Sequence, residues 1–508
     1  MADELVSFGE QLRRLAAQRP DERAMVIVAS DGTRDELTWS ELDAQSNAAA
    51  RLFASAGLGV DDVLPIVMLA SRWHAISVYG AWKLGVNVMP LSDRLPPHEL
   101  GEMLTCAGGP AVVVARPSPT IDALGARFER VIGPDDLAVA VAELDAGALP
   151  DAVAPRAILF ASGGSTGRPK IVNSYGAGAK VPGKTLPVGE QLGQRRGQRT
   201  LVTSPMYHAM GFSSAYLSLF EDRHPIVMEH FEAGLALQLI EEYRINYVLA
   251  VPTMMQRMIR HPDIERRDLS SVETLLHAAA PCAPWLKRAW IDRLGTSRVR
   301  EFYSASEQLG FTILDGDEWL AHPGSVGRPV NSELRILDDD GNELPPGEVG
   351  EIFMKIAGTD GPIFEYLGEQ QPRVTPDGLA SVGDLGWVDA DGYLYIADRR
   401  TDLIITGGAN VYPAEVEAVL SERLDVRDCV VVPVPSEEWG NQVHAIIEPA
   451  DPANPPSVDD LIAHCRSRLA PYKVPKSWEM IAEMPRNSAG KVRRSALAAE
   501  RRSRSAAS

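Results

Sequence analysis

The residues best suited to chemistry are the ten from Ala161 to Lys170, ASGGSTGRPK. Gly163, Gly164 and Gly167 let backbone N–H groups turn toward an anion, Ser162, Ser165 and Thr166 add hydroxyl donors, and Lys170 adds a charge. The apolar runs RAILF and KIVNSY bound the segment as two strands would, so it reads as a phosphate cradle and not as a flexible linker. Gly178 to Thr185, GAKVPGKT, also has the spacing of a nucleotide-binding P-loop. That loop needs a helix behind it to aim its N-terminus at phosphate, and Pro187 and Gly189 follow at once. A P-loop NTPase is therefore the weaker reading. Glu307 closes FYSASE just after the apolar run RVREFY, at the carboxyl end of an expected parallel strand, which is where α/β ligands bind.

The cradle closely resembles the phosphate loop of the adenylate-forming superfamily of acyl-CoA synthetases, luciferases and peptide-synthetase adenylation domains. The resemblance continues in order through PMYHAMGF (205–212), HAAAP (277–281), FYSASE (302–307), SVGDLGWVDADGY (381–393), ADRRTDLIITGGANVYPAEVE (397–417) and PRNSAGKVRR (485–494). It implies an acid–thiol ligase that makes a coenzyme A thioester through an acyl-adenylate. An attacking carboxylate and ATP repel each other until cations and oriented dipoles cancel their charge. By resemblance Lys491 is that cation, reaching in from a small domain. Glu307, helped by the Thr166 hydroxyl, would hold Mg²⁺, a hard cation satisfied by few protein oxygens. Asp384 and Arg399 would bond the ribose hydroxyls, and adenine would lie between Tyr303 and the backbone of Ala279, Ala280 and Pro281. His208 would stand beside the reacting carboxyl group. Asp402 matches the hinge about which the small domain turns, bringing in the loop with Gly407 and Gly408 to form the thiol channel.

The chain departs from the family pattern at Ser304, Ala305 and Ser306, where Tyr-Gly-x-Thr-Glu is usual. If that glycine position needs a left-handed backbone, or if the Ser304 side chain crowds the nucleotide, the cost is about 1–2 kcal/mol and adenylation slows by roughly one to two orders of magnitude. Ser304 and Ser306 flank the place expected to hold the β- and γ-phosphates and Mg²⁺, where a defect would fall on adenylation alone. The expectation is a secure thioester-forming half-reaction with weak or absent adenylation. A separate adenylating partner enzyme, a binder of acyl-adenylate, loading of a carrier protein in place of coenzyme A, and a homodimer all stay open. SGGSTGRPK, HAAAPCAPW and EWLAHPGSVGRP most resemble ligases for bulky alicyclic acids, including bile acids, so a polycyclic or terpenoid carboxylic acid is expected. The stretch Met210 to Tyr216 with His277 and Ala278 is expected to wall its pocket.

These residues need a scaffold, and the sequence indicates an α/β one. From Leu201 onward short apolar runs alternate with helical patterns (LVTS, SSAYLSLF; PIVMEHF, ALQLIEEY; NYVLAV, TMMQRMI; ETLLHAA, WLKRAWIDRL), the signature of doubly wound parallel sheets. VLPIVML, AISVYGAWKLG and AVVVA repeat the theme earlier, so two such units are expected. After about Glu333, Gly- and Asp-rich turns between short strands suggest antiparallel hairpins closing a small β-rich unit. Residues 1–400 are read as a large nucleotide- and acyl-binding domain, 401–402 as a hinge, and 403–508 as a mobile α+β lid ending in a disordered tail, RRSRSAAS.

Composition narrows the class. The 508 residues carry a formal charge of −19, which opposes nucleic-acid binding without a basic patch. Cys106, Cys282, Cys429 and Cys465 lie far apart with no C-x-x-C pair, against zinc or a disulfide framework and in keeping with a reducing cytoplasm. Leu5, Phe8, Leu12 and Leu15 give the start an amphipathic helical spacing instead of a signal peptide, and no apolar run reaches the roughly 20 residues that span a bilayer.

Overall fold

The computed structural model describes residues 5–163, 169–174, 176–182, 188–367, 371–436, 438–486 and 492–506. Its largest sheet runs in the order Arg328–Val330, Phe311–Asp315, Val299–Tyr303, Thr274–His277, Tyr247–Ala250, Arg199–Val202, His224–Met228, Arg23–Val28 and Arg34–Thr38. The six inner strands are parallel, and the edges are antiparallel. Tyr247–Ala250 and Thr274–His277 are buried at every residue, as strands covered on both faces must be. A second, parallel sheet joins Asn87–Leu91, Val63–Val67, Val112–Ala115 and Arg130–Ile132. These are the two α/β units that the sequence implies.

The Gly- and Asp-rich stretch forms an antiparallel sheet built around Ser332–Leu337, Gly350–Ile356, Asp384–Val388 and Leu394–Arg399. A small three-stranded sheet was not foreseen. Phe160–Gly163 and Pro169–Asn173 pair as a hairpin, and Glu365–Leu367, almost two hundred residues later, adds to its other edge. The flanks of the Gly- and Ser-rich segment are thereby tied to Glu365–Leu367.

The smaller C-terminal domain has its own core, in which Ile404, Val411, Val416, Val431, Ala445 and Leu461 pack between a five-stranded sheet and the helices Pro413–Ser421 and Val458–Arg466. It docks on the large domain through Arg260, which donates to the carbonyls of Val426 at 3.0 Å and Ser421 at 2.9 Å, and through an Arg493–Glu99 ion pair. Two expectations need correction. Residues 501–506 of the tail continue the helix Arg494–Ala506, in which Arg501 is buried and donates to Glu479 at 2.8 Å. The first helix is Phe8–Gln18, and Leu5 stays outside it, exposed.

Behind the strand ends lies a buried ion pair, Lys287 with Glu301, joining the helix Pro284–Leu294 to the strand Val299–Tyr303. Burial raises the Glu301 carboxyl and Lys287 opposes the shift. Breaking such a pair strands one desolvated charge. Lys287→Met is expected to lower stability by about 3–5 kcal/mol in urea melts. Adding Glu301→Leu should restore most of that loss, and a single variant as stable as the parent would contradict the assignment.

Candidate active site

The parallel strands deliver their loops to one edge, and the residues singled out by type converge there. Ser162 lies opposite Lys170 across the cradle hairpin. Lys170 Nζ donates to Tyr366 Oη at 3.2 Å, sits 4.6 Å over that ring and is 3.9 Å from Glu307 Oε1. The Tyr366 hydroxyl donates to Glu307 Oε1 at 2.7 Å. Lysine, phenol and carboxylate therefore form one junction, half-buried at Lys170 and Tyr366 and buried at Glu307, between the small cradle sheet and the loop that follows Val299–Tyr303. Burial pulls the Lys170 ammonium below the ordinary lysine value, Glu307 resists, and Arg399 adds to the lowering. Burial, then the Glu307 charge, pushes the Tyr366 phenol up, so it stays a proton donor.

Arg399 links this junction to a second group. Asp384 and Arg399 face each other across neighbouring strands, with Arg399 Nε 3.4 Å from Asp384 Oδ1, and the Tyr303 hydroxyl donates to Asp384 Oδ2 at 2.8 Å. Burial is the first cause raising the Tyr303 phenol, and Asp384 reinforces it. On the adjacent parallel strand, Ala279, Ala280 and Pro281 form an exposed ledge directly after Thr274–His277. Ala279 has φ of 72°, a left-handed conformation that turns the chain sharply at the strand end. His208 caps the short helix Ala209–Phe212 at the end of Arg199–Val202, with its ring 4.5 Å from that of Tyr207.

Ser304 does not have the backbone feared for it. Among the described residues with positive φ near the site are Ala279 and Gln308, at 52°, but not Ser304. The Ser304 hydroxyl instead donates to the Gly310 carbonyl at 2.8 Å and ties down its own loop. The Ser306 carbonyl accepts from Ser174 Oγ at 2.7 Å, and the Ala305 carbonyl accepts from Gln308 N at 3.0 Å. The left-handed penalty is therefore absent. The His277 side chain lies fully buried on the Glu301 side, 3.8 Å from Glu301 Oε1. Alternation along the strand puts Leu276 on the opposite face.

In the small domain, Asp402 accepts from Arg494 at 3.1 Å, and Arg494 also holds Glu417 at 2.6 Å. Gly407 and Gly408 make the hairpin turn between Ile404–Thr406 and Ala409–Val411, with φ of 55° and 81°. A Cβ on Gly407 would stand 2.6 Å from the Trp439 ring, so only glycine fits. Gly164, Ser165, Thr166, Gly167 and Lys491 lie outside the described residues, as do Lys184 and Thr185 of the P-loop-like run. Ala179–Lys180 of that run is a strand paired with Val6–Ser7. Sequence reasoning missed Tyr366, Ser174 and Arg494. Nothing in the spacing marks Tyr366, 59 positions from Glu307.

A buried carboxylate with a lysine and an arginine, at the carboxyl edge of a parallel sheet, is a site for a phosphorylated nucleotide. Residues 12–359 match the AMP-binding enzyme family, and 415–491 match the AMP-binding enzyme C-terminal domain. The chain belongs to the AMP-binding enzyme family. It is 32% identical to a feruloyl-CoA synthase of Amycolatopsis sp. over 471 residues, 90% of this chain and 92% of that one. It is 30% identical to a long-chain-fatty-acid–CoA ligase of Mycobacterium tuberculosis over 510 residues, 97% and 98% of the two. The ATP-bound MatB structure from Rhodopseudomonas palustris superposes with a TM-score of 0.78 at 26% identity, covering 98% of this chain and 99% of that one. Among the described residues no helix is long and apolar enough to cross a membrane.

The lowered Lys170 value sets the sign of a pH effect. Raising the pH discharges Lys170 before an ordinary lysine, so calorimetric binding of pyrophosphate should weaken below pH 10.5, the unshifted value. Lys170→Arg should move that loss to higher pH, and an identical profile in both proteins would argue against Lys170 as the phosphate contact.

Proposed function

We propose that this protein is an AMP-forming acyl-CoA ligase acting on a bulky carboxylic acid. In the first half-reaction the acid carboxylate attacks the α-phosphorus of ATP, forming acyl-adenylate and expelling pyrophosphate. In the second, the coenzyme A thiol attacks the acyl carbon, forming the thioester and expelling AMP. The observation that carries the reading is the junction of Lys170, Tyr366 and Glu307 beside Asp384 and Tyr303, in a chain that aligns along nearly its full length with CoA ligases.

The residues fit these roles by their chemistry. Ser162 to Gly167 with Lys170 take the phosphates, Asp384 and Arg399 the ribose diol, and Tyr303 with Ala279, Ala280 and Pro281 the adenine. Asp384 already accepts a hydroxyl hydrogen bond, from Tyr303, which is the interaction a ribose hydroxyl would make. Glu307, with Thr166, supplies hard oxygen ligands for Mg²⁺, which neutralises phosphate charge when bound. Tyr366 fixes the orientation of the Glu307 carboxylate. His208 is placed for the acyl carboxyl group and Lys491 for the α-phosphate, with 401–402 as the hinge between residues 1–400 and 403–508. The Arg494 bridge to Asp402 and Glu417 supports that hinge, since it joins the last helix to both sides of the Gly407–Gly408 hairpin.

With Ser304 free of left-handed strain, both half-reactions are assigned to this chain. The test supplies coenzyme A, Mg²⁺ and a panel of alicyclic acids, either with ATP or as preformed acyl-adenylates, and follows pyrophosphate and thioester. Thioester from both inputs is expected. Thioester from the adenylates alone would refute adenylation by this chain, and adenylate without thioester would point to another acceptor. Glu307→Gln should reduce pyrophosphate release by at least about a hundredfold, the scale of a lost transition-state electrostatic contact. Tyr366→Phe should cost about ten- to a hundredfold through the lost charge-assisted hydrogen bond, and undiminished release in both would remove this junction from the mechanism.

A further inference from the structure

One helix of the smaller domain takes the caps for both of its ends from the large domain. In Pro413–Ser421 the preceding residue, Tyr412, offers no side-chain cap, and proline fills the first helical position. Asp398, near the end of the large-domain strand Leu394–Arg399, supplies the bond instead: its Oδ2 accepts from Ala414 N at 3.1 Å. At the other end, Arg260 donates to the carbonyls of Ser421 at 2.9 Å, Arg423 at 3.4 Å and Val426 at 3.0 Å. A carboxylate at the N-terminus and a guanidinium at the C-terminus both complement the helix dipole. A helix of nine residues is marginal by itself, so caps from outside decide how firmly it is held.

Arg260 does not act alone. Its guanidinium lies 4.8 Å over the Trp285 ring, Trp285 Nε1 donates to Ser421 Oγ at 3.1 Å, and Gln256 Nε2 donates to the Arg427 carbonyl at 3.1 Å. Gln256 belongs to the helix Pro252–Ile259 and Trp285 to Pro284–Leu294, so two large-domain helices grip one turn, residues 421–427. All but one of the acceptors are main-chain carbonyls, so the grip reads the path of the turn. Such bonds exchange for water at modest net cost, which suits a contact that forms and parts.

The clamp fixes where the small domain sits. Arg494, at the start of the last helix, holds Glu417 of the clamped helix at 2.6 Å. Its neighbour Arg493 pairs with Glu99, on the helix Pro97–Cys106. Leu100 and Leu104 of that helix share a packed group with Ile171 of the cradle hairpin. The grip at 421–427 is therefore passed through Glu417 to a contact beside the cradle. Lys491, assigned above to the α-phosphate, is two residues before Arg493 in the sequence.

We propose that Arg260, with Trp285 and Asp398, clamps the helix Pro413–Ser421 and so holds the small domain in the adenylate-forming arrangement, making Arg260 a positioning residue for the first half-reaction alone. The choice of half-reaction rests on the ligase reading above; the clamp does not.

The experiment has two arms. The first needs no substrate: trypsin cleavage at the exposed residues 399–401 reports release of the small domain. Arg260→Met should speed that cleavage by about ten- to a hundredfold, the scale of a few lost bonds from a charged donor, because cleavage follows the open population. Arg260→Lys, which keeps the charge without the fork, should lie between. In the second arm, pyrophosphate release from ATP with a panel of carboxylic acids, without coenzyme A, should fall in Arg260→Met by a similar factor. Thioester from preformed acyl-adenylates and coenzyme A should be undiminished. Trp285→Phe keeps a ring under Arg260 and drops the bond to Ser421, so it should move both readouts the same way by less; should Arg260→Met fail to fold, Trp285→Phe decides. Cleavage at the parental rate in both variants overturns the clamp. Faster cleavage with equal losses in the two half-reactions overturns the role in adenylation. Neither pyrophosphate nor thioester from the parent overturns the ligase reading and the choice of half-reaction with it, while the trypsin arm still judges the clamp.

Discussion

The Lys170 ammonium, held over the Tyr366 ring and within 4 Å of the Glu307 carboxylate, is the contact on which the active edge depends. Three separate pieces of backbone meet there: the cradle hairpin, the late strand Glu365–Leu367 and the loop after Val299–Tyr303. Each group constrains the next. The phenol must donate to Glu307, so its oxygen is left to accept from Lys170, and the lysine cannot reach both without the hairpin in register. The half-buried setting strengthens these bonds and raises the cost of leaving any one unmade.

This arrangement explains why the cradle is anchored on both edges. A glycine- and serine-rich turn has little conformational preference of its own, and ordering it costs entropy at every residue. The hairpin Phe160–Gly163 with Pro169–Asn173, reinforced by the strand around Tyr366, fixes the ends of the turn. Ser174 performs the same service from the other side by bonding the Ser306 carbonyl. Backbone strain is placed where the chain must turn at a strand end, at Ala279 and Gln308, and not at the serine that departs from the family pattern.

Paired charge stands at both ends of the large sheet. At the carboxyl edge, Lys170 and Arg399 are balanced by Glu307 and Asp384. At the amino end the buried Arg223–Glu221 ion pair precedes the strand His224–Met228. Between them, Leu249 and Leu276 form an apolar span. The Lys287–Glu301 pair under the ledge locks a helix to the strand that carries Tyr303.

Periodicity and short motifs determined much of this protein by themselves. Alternating apolar runs and helical patterns specify parallel strands and their order in the chain, because strand and helix burial impose different repeats. The cradle segment and Glu307 stand out by residue type and placement in short segments, and Asp384 and Tyr303 only by resemblance to the family. Only tertiary structure decided the rest. Tyr366 reaches Glu307 across 59 residues and Arg494 reaches Asp402 across 92, and no spacing encodes such contacts. Whether Ser304 is strained, where the His277 side chain lies, and whether the tail is helical depend on backbone angles, strand facing and burial. Arg223 shows the difference most clearly: in the sequence it is one arginine among many, and only the tertiary structure buries it against Glu221.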